Sequence, residues 1–338
     1  MPITNPYHYR DPLTGTKGFY NRVSEMYLVT ARIATEQPQS VSIIGGPRSG
    51  KTALINYLTE AFIREEYLTD SPSYVLVQLE LGKSPPDCPK TFFLQISEAL
   101  QQAGEAAIEP NTDGFDKAVK RLMKAKKKMV LFLDDFGTVT QNSRFALNFF
   151  SFLRSVANGS DVGYVTTSSL PLQELCHTED IEDSPFFNIF TTVNLEPFSE
   201  EAARQLVQKP AEQVGQPFGE EVEWIWQLAG GFPQLLQLTA YTAFDHRNIK
   251  REKLAEQAYK NAEPYLEELW TGALPVEAQE VLMAVQAKKA IEPQLAYVAE
   301  DLESQGYLRQ HDNGYVMGFE LLEHFVAKRG SLWKRIFG

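Results

Sequence analysis

Gly45-Gly46-Pro47-Arg48-Ser49-Gly50-Lys51-Thr52 follows the apolar run Ser42–Ile44 and precedes a stretch of helix formers beginning at Ala53. It satisfies the spacing G-x-x-x-x-G-K-[S/T] in the strand, loop and helix context that this spacing requires. The glycines let the backbone curl so that several N–H groups point at one anion, and the positive end of the following helix adds to the field. A chance match in a surface loop is the alternative reading, and the flanking strand and helix argue against it. Residues 45–53 are therefore candidate phosphate-binding positions, with Lys51 directed at the β- and γ-phosphates and Thr52 at Mg²⁺. The expected ligands are ATP or ADP with Mg²⁺.

Working outward, residues 40–196 alternate short apolar runs with amphipathic segments, the pattern of an α/β domain with a parallel sheet covered on both faces. Strands are expected at Ser42–Ile44, Tyr74–Glu80, Met129–Asp134, Gly163–Thr167 and Thr192–Leu195. The third, MVLFLD, is apolar at consecutive positions, as a central strand should be. Helices are expected at Thr52–Glu65, Thr91–Ala103, Phe115–Lys126 and Arg144–Ala157. Triphosphate hydrolysis needs one carboxylate to fix the metal and another to polarise the attacking water, both at the end of a neighbouring strand. Asp134 and Asp135 close MVLFLDD, so Asp134 is the expected metal partner and Asp135 the candidate base. A pair that merely caps the strand in solvent is the alternative. The run VGYVTTSS offers Thr167 or Ser168 as a reader of the γ-phosphate, although Ser and Thr are also ordinary at strand ends.

After Pro197 the strand signals stop. Helices are expected from Ser199 and at Glu220–Leu228, Pro233–Phe244 and Arg251–Leu269, then at Val276–Ala287 and Pro293–Ser304. In YLRQHDNGYVM, Asn313-Gly314 reads as the tight turn of a hairpin. Two helices and a β-wing make a winged helix. The divisions are an ATP-binding core over residues 1–197, a helical lid over 198–270, a winged helix over 271–330 and a basic-aromatic tail over 331–338.

Composition narrows the function classes. With 338 residues there is room for two or three domains. Two cysteines, Cys88 and Cys176, make neither a disulfide framework nor a thiolate metal site, which fits a reducing compartment. The opening MPITNPYHYRDP lacks a basic start followed by an apolar core, and no apolar run approaches the roughly 18–20 residues that span a bilayer. The expectation is a cytoplasmic protein. A net charge of −12 argues against wrapping nucleic acid by bulk electrostatics. Lys124, Lys126, Lys127 and Lys128 read more naturally as a solvated helix end than as a phosphate-binding patch.

From here the chain resembles the bacterial and archaeal AAA-type ATPases related to origin-recognition initiators and to the signal-transducing STAND class. NPYHYRDPLTG and GFYNRVSEM resemble the family's opening and its F-x-G-R-x-x-E box, which implies that Tyr20 and Arg22 line an adenine pocket; Asn21 stands where the family has Gly. The segments LDDF, NFFSFLRSV, TTSSLPLQEL and SPFFNIFTTVNLEPFSEEAARQLV are similar to family stretches, the last being the most discriminating. AGGFPQLLQLTAYTAF looks like the family's lid helix, which implies that Pro233 and its glycines approach the nucleotide; no arginine lies in that segment, as in the STAND and initiator branch. Many members carry Glu where Asp135 stands, one methylene longer, so slow or partner-stimulated hydrolysis is expected. The resemblance implies a regulatory nucleotide switch acting through protein partners, in signalling or defence, with ATP-dependent homo-oligomers among its forms. A DNA-associated regulator of initiator or transposition type, or a nucleotide-bound scaffold without turnover, are the alternatives. Glu300, Asp301 and Glu303 on the second winged-helix segment disfavour DNA there. The tail HFVAKRGSLWKRIFG combines basic and aromatic residues, suited to a membrane surface or a partner groove, or to a tail folded back on the body.

Overall fold

The computed structural model describes residues 4–9, 19–68, 70–312 and 314–337, with side chains in the last helix up to residue 330. The expected tail over residues 331–338 therefore lies outside the described side chains. Internal contacts divide the chain into two units, one of residues 19–45 and 51–195 and one of residues 4–9, 46–50 and 196–337.

The first unit is a parallel five-stranded sheet: β1 (Ser40–Ile44), β2 (Tyr74–Glu80), β3 (Lys128–Asp134), β4 (Val162–Ser168) and β5 (Phe190–Asn194). Its strand order is β2-β3-β4-β1-β5. Each expected strand is present, with ends shifted by at most two residues. The consecutive apolar residues of β3 are explained by burial on both faces. Met129, Leu131 and Leu133 join one core cluster with Phe92, Phe93 and Phe150, while Val130 and Phe132 join another with Val41, Ile43 and Ile55. Burying each such side chain contributes about 1.5–3 kcal/mol. Helices α1 (Val23–Ile33), α2 (Lys51–Leu58), α3 (Ala61–Tyr67), α4 (Pro89–Gln102), α5 (Thr112–Lys124), α6 (Gly137–Thr140), α7 (Leu147–Gly159) and α8 (Glu179–Glu182) complete this unit.

The single helix expected over 52–65 is two helices. Thr59 is the reason: its hydroxyl donates back to the carbonyls of Ile55 and Asn56, and Glu60 takes an extended conformation at ψ 141°. Likewise α7 starts later than expected because Asn142 accepts the Arg144 N–H in a turn of its own.

The second unit holds α9 (Glu200–Gln213), α10 (Glu221–Ala229), α11 (Pro233–Asp245), α12 (Arg251–Gly272), α13 (Val276–Gln286) and α14 (Ala296–Ser304). An antiparallel pair, β6 (Leu308–His311) and β7 (Gly314–Met317), and α15 (Glu320–Phe337) follow. The expected Asn313 turn residue lies outside the described residues. Gly314 pairs with His311 inside the ladder, and Asp312 takes a left-handed conformation at φ 49°. The opening segment is bolted to this unit. Tyr7 is buried, donates its hydroxyl to the Val207 carbonyl and stacks on Phe218, while Asn5 donates to the Tyr241 carbonyl at 3.0 Å. No helix among the described residues is long and apolar enough to cross a membrane.

Candidate nucleotide site

β1 ends at Ile44 and α2 begins at Lys51, so the Gly-rich loop leaves the carboxyl edge of the sheet, where open α/β sheets bind ligands. Gly50 sits at φ 100°, a conformation that side chains rarely adopt, and Arg48 is left-handed at φ 56°. The Ser49 N–H closes a turn on the Gly46 carbonyl at 3.2 Å. Within the unit containing residues 46–50, Arg48 pairs with Glu268 at 3.2 Å, and the Tyr265 hydroxyl donates to the Pro47 carbonyl at 3.3 Å. Lys51 donates to the Gly45 carbonyl at 2.7 Å. Burial lowers its pKa, and the negative charges of Asp134 and Asp135 act in the opposite direction. Ala53 follows in the first turn of α2, half-buried.

The strand order explains which side chains meet beside Lys51. β4 lies between β1 and β3, with Ile43 in register with Thr167 and Leu133 in register with Thr166. The end of β4 therefore falls between the end of β1 and the carboxylates after β3. Thr52 donates to Asp134 Oδ2 at 2.7 Å, and Thr167 donates to Asp134 Oδ1 at 2.6 Å. Thr167 Oγ1 in turn accepts the Asp135 N–H at 2.7 Å, and the Thr167 carbonyl accepts the Phe136 N–H at 2.9 Å. Asp135 is thus clamped in a left-handed conformation at φ 62°. Its carboxylate covers Gly82, where an added Cβ would lie 2.8 Å from Oδ2. Burial raises the Asp135 pKa, the neighbouring Asp134 charge raises it further, and Lys51 acts against both.

Oxygen donors from one hydroxyl and one carboxylate suit Mg²⁺, which keeps most of its coordination for water and phosphate. Thr52 and Asp134 fit that ion, and among the described residues no group of three or more His, Cys, Asp or Glu side chains competes for it. The buried Ser168 hydroxyl donates to the Leu170 carbonyl at 2.6 Å, inside the turn that leaves β4. Of the two expected phosphate readers, Thr167 is therefore the one joined to the carboxylates. Sequence reasoning missed its bridging role and that of Gly82, since neither follows from spacing. The strand order, once known, finds the first. Thr167→Val removes one hydrogen bond to a charged carboxylate, worth about 1.5–3 kcal/mol, together with the one accepted from the Asp135 N–H, so turnover is expected to fall by about 10- to 100-fold. Thr167→Ser keeps the hydroxyl and should restore most of it. Phosphate release of the two variants, beside their metal-free ADP affinity, which should not change, checks the assignment.

The other expected positions have local explanations. Asn21 and Arg22 both have positive φ, 61° and 68°, at the start of α1. A left-handed position favours Gly, and Asn is the next best tolerated, which accounts for Asn21 where the family box has Gly. Arg22 is buried and pairs with Glu25 at 2.7 Å, while Tyr20 beside it is half-buried. Asn21→Val should cost about 1–2 kcal/mol in urea unfolding, and Asn21→Gly close to nothing. Pro233 opens α11. The glycines before it are required by packing: an added Cβ on Gly231 would lie 2.3 Å from the Phe198 carbonyl oxygen, and Gly230, at φ 58°, lies against Phe319.

A Gly-rich loop between strand and helix, with Lys51, Thr52 and a buried Asp134 at the sheet's carboxyl edge, defines a P-loop nucleoside triphosphatase. The chain belongs to the novel STAND NTPase 2 family, whose model matches residues 35–258. Among solved structures it is similar to a Walker-type ATPase of Pyrococcus abyssi, with a TM-score of 0.64 and 15% identity over 94% of this chain and 99% of that one. It is also similar to the ORC2 protein of Aeropyrum pernix in ADPNP-ADP complexes, at TM-score 0.59 and 13% identity over 92% and 96%. The ORC1 protein of Aeropyrum pernix in complex with DNA matches at TM-score 0.50 and 15% identity over 94% and 95%. At these identities the likeness is one of fold. A search of curated protein sequences finds no match.

Proposed function

We propose that this chain is a nucleotide-state switch that binds ATP with Mg²⁺, hydrolyses it slowly and signals its state to protein partners. The observation that carries the reading is Asp134 held between Thr52 and Thr167, with Lys51 close enough for its charge to be felt by both aspartates. Lys51 and the loop amides bind the phosphates; Thr52 and Asp134 would hold Mg²⁺, which would supply charge neutralisation at the phosphates. Asp135 takes the proton of the attacking water. Its shorter side chain, tied down by the clamp on its own N–H, favours slow turnover. Residues 198–270 as lid and 271–330 as winged helix carry the change of state, and ATP-dependent self-assembly is one form it takes. Signalling or defence is the setting that the STAND class implies.

The alternative of a DNA-associated regulator draws on the fold of the ORC proteins. It is disfavoured by α14, whose exposed face presents Tyr297, Glu300 and Asp301 rather than positive charge. Multiple-turnover phosphate release with ATP and Mg²⁺ tests the main reading, together with solution mass in ADP and in a non-hydrolysable ATP analogue. The expected rate is below about one per second, under the enzyme median of about ten. No uptake of ATP or ADP in the presence of Mg²⁺ would sink the switch altogether, and release of phosphate at tens of turnovers per second, roughly the enzyme norm, would refute the slow step.

A further inference from the structure

β2 is an edge strand, and a groove opens beside its carboxyl end. In a parallel ladder each residue turns its N–H and C=O to one side, and alternate residues turn to opposite sides. The Leu81 N–H donates to the Asp134 carbonyl, so Val75, Val77 and Leu79 address β3. Tyr74, Leu76, Gln78 and Glu80 then address the open side. Both ends of that row are closed off. Arg64 donates to the Tyr74 carbonyl at 3.4 Å, and the Glu80 carbonyl accepts the N–H groups of Lys83 and Ser84. Leu76 and Gln78 remain as the ladder positions in the middle.

Exposed edges are ordinarily blunted by Lys or Pro, or covered by a helix or loop. Tyr74–Glu80, YVLVQLE, carries neither residue. Instead a groove of about 760 Å³ opens beside its carboxyl end at residues 78–80, walled by Asn56, Thr59 and Glu60 at the end of α2 and by Gln95, Glu98 and Gln102 on α4. The Gln78 side chain is held aside, donating to Asn56 at 2.8 Å and accepting from Thr59 at 3.2 Å, so it does not close the edge. Walls on both sides leave room for one strand and obstruct a second folded sheet.

The charge of the groove selects the occupant. Lys83 is tied to Glu80 at 2.9 Å and 3.0 Å, whereas Glu60 and Glu98 join no ion pair among the described residues. We propose that this groove docks a single extended, cationic segment of a partner protein, added beside β2 as a sixth strand. Main-chain hydrogen bonds to Leu76 and Gln78 supply the ladder, and lysine or arginine side chains at successive positions, which point to opposite faces of the strand, reach Glu60 on one wall and Glu98 on the other. The site is independent of the nucleotide loop and does not rest on the reading given to it.

The probe is a blocked, fluorescent octapeptide repeating Val-Val-Lys-Lys, which places lysine on both faces of the strand, titrated into the full chain at low ionic strength and followed by anisotropy and amide hydrogen exchange. Saturable binding with slowed exchange at Leu76 and Gln78 is expected. Glu60→Lys with Glu98→Lys should weaken it by about tenfold, the sum of two reversed exposed charges. The same peptide N-methylated at alternate amides keeps every charge but loses the ladder, and it should not bind. Absence of binding, equal binding of the methylated peptide, or slowed exchange elsewhere with none at β2 would each overturn the proposal.

Discussion

Lys51→Ala is expected to weaken ATP and ADP binding by about 100- to 1,000-fold, and phosphate release with it. An ammonium shared between two phosphate oxygens makes charge-assisted contacts of about 1.5–3 kcal/mol each, and losing about 3–4 kcal/mol in all gives that factor. The same substitution should leave the nucleotide-free fold intact. Burial holds the Lys51 pKa below its ordinary value, so folding disfavours this charge, and alanine removes that cost. The sign follows from linkage: a lysine whose folded pKa is depressed subtracts stability at every pH below its ordinary value, which includes neutral pH. A melting midpoint that is equal or higher without nucleotide, beside a lost nucleotide-induced rise, is the combined signature. Unchanged ATP affinity in the variant would remove the phosphate role from the loop.

Much of this site was legible in sequence because its demands are local. The loop needs glycine and a lysine at fixed offsets, and MVLFLDD needs burial on both faces before its two carboxylates. Other features were not legible, for reasons of geometry. Thr167 looked interchangeable with Ser168, since only the placement of β4 between β1 and β3 decides which hydroxyl meets Asp134 and which turns to Leu170. Gly230 and Gly231 read as a nucleotide contact because glycine permits close approach, yet their close approach is to Phe319 and to the backbone of Phe198, residues far away in sequence. Helix α1 was hidden because it starts from two consecutive left-handed residues that resemble no ordinary N-cap. The break at Thr59 was missed for the opposite reason, since a threonine hydroxyl that bonds back to its own helix leaves the apolar periodicity intact. The substitution of Asn21 for Gly, an anomaly in the motif, becomes ordinary once its φ of 61° is known.

Asp135→Asn should lower turnover by about 100- to 10,000-fold, the usual range for losing a positioned base, with nucleotide affinity little changed. The amide keeps the shape over Gly82 and the backbone clamp from Thr167, so only the proton acceptor is lost. The pH profile offers a second check. Burial, and then the Asp134 charge, push the Asp135 carboxyl above the ordinary aspartate range, with Lys51 opposing them. A base works only when ionised, so the acid limb of the turnover profile should lie above the ordinary value of about 4 and should move down in Asp134→Asn, even at much reduced rates. Asp135→Glu separates reach from basicity. One further methylene brings the carboxylate closer to the attacking water, and a faster variant would mean that side-chain length limits the native rate. Asn tolerates the left-handed backbone at position 135 as Asp does, so Asp135→Asn reports on the side chain, whereas Glu is disfavoured there and only a gain in rate is read from it. Full turnover in Asp135→Asn would place the proton acceptor elsewhere and reduce this residue to a cap on β3.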